Sequence, residues 1–238
     1  MAKRWIRVSP SKRYNFRPNA AYRSGWDFLP RARAKIIARQ LTYLDFHEWL
    51  MSNLSHSLNR DKDDWRPLFS TVAEGFYKTD VLLYASICEA ALHSVLYKHY
   101  GRQDDGADQA VKDCFLRVED RSRDFREVRG QKLSLGSPPD TITGCLSLHF
   151  THEKPISDSD VKFVSLIKAG EAIGIYDSAL QQRLDALRED RNTIHLAKHI
   201  ERSTQHPEFR DADRTRAKKT TEDLRRELYR FDAAYLST

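Results

Sequence analysis

Apolar residues recur at helical spacing through most of this chain. Pro30 is placed to open a helix, and Ile36, Ile37, Leu41, Leu44, Trp49 and Leu54 set a stripe through residues 31–58. After the polar break at 59–64, Asp61 can cap a second helix with Pro67 in its first turn. Apolar character then thickens from Phe69 to Tyr100, with Gly101 as a stop and Gly75 as a point where the helix can bend or split. Residues 103–155 differ: Gly106, Gly130, Gly136, Pro138, Pro139, Gly144 and Pro155 interrupt them, and Leu146-Ser147-Leu148-His149-Phe150 alternates as a half-buried strand does. Leu133 and Leu135 mark a second short strand, and a short helix is expected near 107–118. Ser157-x-x-Asp160 signals another helix start, with Val161, Val164 and Ile167 as its apolar face, and Gly174 with Ile175 a Schellman stop. Asp177 or Ser178 caps the next helix, whose stripe is Leu180, Leu184, Leu187 and Ile194; a charged helix closes the chain over about 211–235. The expected fold is mainly α, five or six helices with a small β hairpin or meander inserted at about 119–155. An N-terminal arm, 1–30, precedes the helical domain, 31–238.

Composition changes that picture little. The chain has 238 residues, 40% hydrophobic and 31% charged, enough for one sizeable domain and too apolar for a disordered one. The apolar run Val81–Leu92 contains Glu89 and is short for a bilayer, so no membrane contact is expected. The basic N-terminus is not followed by an apolar stretch, and Cys88, Cys114 and Cys145 are few and scattered. Both point to a cytoplasmic location without disulfides.

Charge is more informative. Residues 1–35 hold ten of the 40 Lys/Arg and one of the 34 acids, a net +9, leaving 30 bases against 33 acids, or −3, for the rest. Trp5, Tyr14, Phe16, Tyr22, Trp26 and Phe28 are set among those cations. Cations attract phosphates and rings stack on unpaired bases, so Arg4, Arg7, Lys12, Arg13 and Arg17 are candidate RNA-binding residues. The competing reading is an arm that packs its rings on the body and leaves its arginines in water.

The chemistry concentrates in Leu187-Arg188-Glu189-Asp190-Arg191-Asn192-Thr193-Ile194-His195-Leu196. On a helix, Arg188, Asn192, His195 and His199 share one face, and Arg191 is one turn before His195. A guanidinium, a carboxamide and an imidazole together can hold a phosphate and move a proton beside it. His195 and His199 have the i, i+4 spacing of helical zinc ligands, but no third ligand or HExxH accompanies them. No metal or other cofactor is expected.

The run Ser165-Leu166-Ile167-Lys168 through Gly174-Ile175, then a capped helix reaching Leu-Arg-x-x-Arg-Asn-x-Ile-His, resembles the HEPN superfamily, over roughly residues 69–200. Members carry Arg-x(4–6)-His late in a compact helical domain. The resemblance implies a HEPN-like helical bundle that forms a homodimer, with two motifs meeting across a cleft. In active members it implies metal-independent cleavage of RNA to 2′,3′-cyclic phosphate ends, the work of toxins and antiviral defence effectors, with an antitoxin or other defence-system protein as a further partner. A non-catalytic HEPN-like module that binds RNA or protein is the alternative. Arg188 to His195 spans six intervening residues, within the family's limits, and Arg191 to His195 three, one short of them, though it is Arg191 that Asn192 follows; the face of Arg188, Asn192 and His195 is the expected site, with Arg191 at a compressed spacing as the alternative. The helix around Val81–Tyr97 has one polar stripe, Ser86, Glu89 and His93. A carboxylate there is costly unless paired, and an arginine from another helix is its natural partner. The resemblance likewise places an acid at Glu89 against the motif. It implies His195 as general base or acid, Arg188 or Arg191 on the phosphorane, and Asn192 orienting the phosphate or the histidine.

Overall fold

The computed structural model describes residues 25–58, 66–101, 108–124, 147–194 and 209–236. It is mainly helical: six helices, α1 (Arg31–Leu58), α2 (Arg66–Tyr100), α3 (Gln109–Phe115), α4 (Phe163–Ala172), α5 (Ser178–Ile194) and α6 (Asp211–Phe231), with strands β1 (Leu116–Asp124) and β2 (Ser147–Pro155). A π-helical turn, Asp232–Leu236, follows α6. The Asp61 cap, the strand at Leu133 and Leu135, Cys145 and the cationic residues of the arm lie outside the described residues.

α2 is the centre. It packs against the five other helices, most extensively α6. Val81, Ala85, Ile87, Cys88, Ala91, Leu92 and Leu96 are fully buried, while Ser86 and Glu89 lie on a stripe that stays partly open to solvent. By length and composition Phe69–Tyr100 is able to cross a membrane, but 61% of its apolar window is buried inside the bundle. It is also far longer than the run Val81–Leu92 suggests. The helix runs through Gly75 without a break. No atom lies within 4 Å of where a Cβ would be, and the helix accepts the roughly 1 kcal/mol that an interior glycine costs.

α1 packs on α2 through Ile37, Leu41, Leu44 and Met51, while Ile36 is turned outward and 48% exposed. The end of the arm belongs to this core. Trp26 is buried, and Phe28 lies 6.0 Å from the Trp26 ring and 5.8 Å from Tyr229. For these two rings the structure has the packing reading of the arm.

Two helix signals work as expected and one does not. Gly174, at φ 73°, takes the left-handed position after α4. Its N–H reaches Glu171 O at 2.9 Å and the Ile175 N–H reaches Gly170 O at 2.9 Å, the two bonds of a Schellman stop. Asp177 caps α5, its Oδ1 accepting from Leu180 N at 2.9 Å. Ser157-x-x-Asp160, however, does not start a helix. Ile156 N is held by Phe115 O at 2.8 Å and Asp160 N bonds Ser157 O, closing a turn. α4 begins only at Phe163, after Lys162 in extended geometry.

β1 and β2 form an antiparallel pair in continuous register, from Leu116 opposite Pro155 to Asp124 opposite Ser147. The β insertion therefore starts at Leu116, and the short helix before it is confined to Gln109–Phe115.

Candidate functional site

α5 enters the bundle through Leu180, Leu184 and Leu187, at most 3% exposed. Arg191 continues that stripe, four residues after Leu187 and seven after Leu184, so it leaves α5 on the side facing α2. Its Nη1 lies 2.8 Å from Glu89 Oε2, with both side chains a little over a quarter exposed. Glu89 thus has a partner from another helix. Arg188 remains on its own helix, with Nη2 2.6 Å from Glu189 Oε1 and Nε 3.3 Å from Asp185 Oδ1. Asn192 is half-buried and makes no hydrogen bond among the described residues. His195 and His199 lie outside the described residues, as do Arg4, Arg7, Lys12, Arg13 and Arg17. The structure therefore brings Glu89 and Arg191 together and gives Arg188 no contact with Glu89.

Two ion pairs set the position of α5 against α6: Arg183 Nη1–Asp223 Oδ2 at 2.6 Å and Arg216 Nη2–Asp190 Oδ2 at 2.9 Å. A guanidinium carries five N–H donors, so one close nitrogen–oxygen contact with a carboxylate leaves others available. That suits Arg191 to meet an anion arriving from solvent.

The polar stripe on α2 extends the arrangement. Ser86 bonds back to Leu82 O at 2.9 Å. His93, one turn beyond Glu89, is buried between the stacked ring of Tyr97 and the edge of Phe115. Its Nε2 has no hydrogen-bond partner among the described residues and lies 3.7 Å from Asp158 Oδ1, beyond hydrogen-bond reach. Asp158 in turn meets Arg33 Nη2 at 3.5 Å. Burial holds the His93 pKa below its ordinary 6.5. Asp158 and Glu89 work against that shift and Arg33 adds to it.

A second polar cluster joins residues too far apart in sequence to be paired by spacing. Asp80, 2% exposed, meets His47 Nδ1 at 2.6 Å through Oδ1 and Arg214 Nε at 4.0 Å through Oδ2. Arg214 also reaches Glu48, at 3.3 Å, and the Phe76 ring closes over His47 at 4.9 Å. Burial raises the Asp80 pKa, opposed by His47 and Arg214. The cluster ties α1, α2 and α6 together. No group of three or more metal-ligating side chains is gathered among the described residues.

Comparison with family models, with curated proteins and with solved structures finds no significant match.

Proposed function

We propose that this protein is a metal-independent endoribonuclease of the HEPN type that acts as a homodimer, as a toxin or antiviral defence effector. The observation that carries the reading is the Arg191–Glu89 contact at 2.8 Å. It fixes the arginine of an Arg-Asn-x-Ile-His segment against the central helix, one residue from a half-buried carboxamide with no hydrogen bond among the described residues. We take Arg191 rather than Arg188 as the motif arginine, because Arg188 is spent on two acids of its own helix.

The 2′-oxygen of RNA attacks the adjacent phosphorus, forming the cyclic ester and breaking the bond to the 5′-oxygen. His195 takes the 2′-hydroxyl proton, or returns one to the leaving oxygen. Arg191 faces the charge that develops on the phosphorane, and Asn192 orients the phosphate. Arg4, Arg7, Lys12, Arg13 and Arg17 hold the RNA backbone.

The second reading, a non-catalytic module that binds RNA or protein, is favoured by the three-residue gap between Arg191 and His195. Incubation with total RNA in EDTA separates the two. Fragments ending in 2′,3′-cyclic phosphate support the nuclease, binding without cleavage supports the module, and cleavage only on adding metal contradicts the mechanism.

A further inference from the structure

A cleft of about 390 Å³ lies away from Arg191, between the Gly25–Trp26 turn and helices α1, α2 and α6. Its volume is within the range of small-molecule sites, about 300–1,000 Å³. Three kinds of group line it. Trp26, Leu41, Leu44 and Tyr84 form an apolar floor, each at most 7% exposed. Lys218, Arg225 and Arg226 bring cations from α6, and Asp45 and Glu222 bring carboxylates.

The cations are not equivalent. Lys218 Nζ is 3.3 Å from Glu48 Oε2, and Arg226 Nη2 is 3.4 Å from Asp223 Oδ1. Arg225 makes no ion pair among the described residues. Its one hydrogen bond is a long one, Nη1 to Gly25 O at 3.5 Å. Gly25 permits that approach, since a Cβ there would stand 3.1 Å from the same nitrogen. A half-buried guanidinium is thus held at the mouth of a cleft with most of its five donors uncommitted.

We propose that this cleft is a binding site for a nucleoside monophosphate. Arg225 would take the phosphate, the apolar floor the flat base, and the Glu222 carboxylate hydroxyl or amino donors of the sugar or base. A fork of N–H donors matches the oxygens of a phosphate monoester better than a point charge does. A purely apolar ligand would leave Arg225 unanswered, and a bare anion would leave the floor uncovered. The inference does not rest on the ribonuclease reading, because its readout is binding in the absence of RNA.

Isothermal titration of the full chain with AMP, adenosine and inorganic phosphate tests it. AMP is expected to bind, with adenosine and phosphate each at least about tenfold weaker. Arg225→Ala should weaken AMP by about tenfold or more and leave adenosine unchanged, and Arg225→Lys should recover part of the loss. Inorganic phosphate binding as tightly as AMP, no heat from AMP, or equal affinity in Arg225→Ala would each overturn the proposal. Wild-type Trp fluorescence gives a readout independent of how well the variant folds. AMP, but not phosphate, should change the emission, and a change that survives intact in Trp26→Phe contradicts the assignment of the floor.

Discussion

Removing one end of the Arg191–Glu89 pair should cost more stability than removing Arg188. The two side chains of the pair are 28% and 27% exposed. That places the pair between exposed pairs, worth about 0.2–1 kcal/mol, and fully buried ones, where losing a partner costs about 3–5 kcal/mol. Arg191→Ala is therefore expected to cost about 1–2 kcal/mol, which in a chain of this size lowers Tm by about 2–8 °C. Arg188 is 22% exposed, but its partners are the more exposed acids of its own helix, Asp185 at 36% and Glu189 at 55%; pairs of that kind are worth at most about 1 kcal/mol, so Arg188→Ala should cost less than Arg191→Ala. Denaturant unfolding of Arg191→Ala, Glu89→Gln and the double variant gives a coupling energy, expected near 1 kcal/mol and smaller at high salt. A coupling below about 0.3 kcal/mol, or a larger loss from Arg188→Ala than from Arg191→Ala, would refute this account of which arginine faces α2.

Three further outcomes follow from other parts of the bundle. A Cβ on Gly170 would stand 2.5 Å from Tyr176 Oη, which donates to Ile167 O at 2.8 Å. Gly170→Ala should therefore lose about 1–2 kcal/mol on urea unfolding despite its better helix propensity, and less in a Tyr176→Phe background; wild-type stability would contradict the packing described. His93 is held below its ordinary pKa mainly by burial, so the unfolded chain takes up its proton first as pH falls. The wild type should lose stability relative to His93→Gln as pH drops below about 6.5, at no more than about 1.4 kcal/mol per pH unit; parallel stability curves would rule this out. Burial pushes the Cys88 thiol up to about 12 and the Cys114 thiol up to about 11. Neither should react with a thiol reagent at pH 8 until the protein is unfolded, and rapid native labelling of either would show that it is not enclosed.

What the sequence reveals about this fold depends on the range over which each signal acts. The α4–α5 junction was legible because Gly174, Ile175 and Asp177 are local devices whose partners lie within five residues. Ser157-x-x-Asp160 misled because a helix start also needs the following residues free to coil, and the bond from Ile156 N to Phe115 O commits them to a turn. β1 was hidden because Arg117–Asp124 is dominated by charge and shows no alternation; its signal is the partner strand, more than twenty residues away. Glu89 was legible as a carboxylate in need of a cation. The choice between Arg188 and Arg191 had no such signal, since Arg188 follows Leu184 by four residues just as Arg191 follows Leu187; the contact with Glu89 decides it. The His47–Asp80–Arg214 cluster had no sequence signal, because three helices distant in the chain build it.

The most direct test of the ribonuclease reading is single-turnover cleavage of a defined RNA in EDTA by four proteins: wild type, His195→Ala, Arg191→Ala and Arg188→Ala. Loss of the proton-transfer group or of the charge-stabilising guanidinium should each slow cleavage by about a hundredfold or more. Arg188→Ala should cut within about threefold of the wild-type rate, as expected for a residue that stabilises no transition-state charge. Wild-type rates in His195→Ala, or an Arg188→Ala defect as large as that of Arg191→Ala, would contradict the site proposed for this protein.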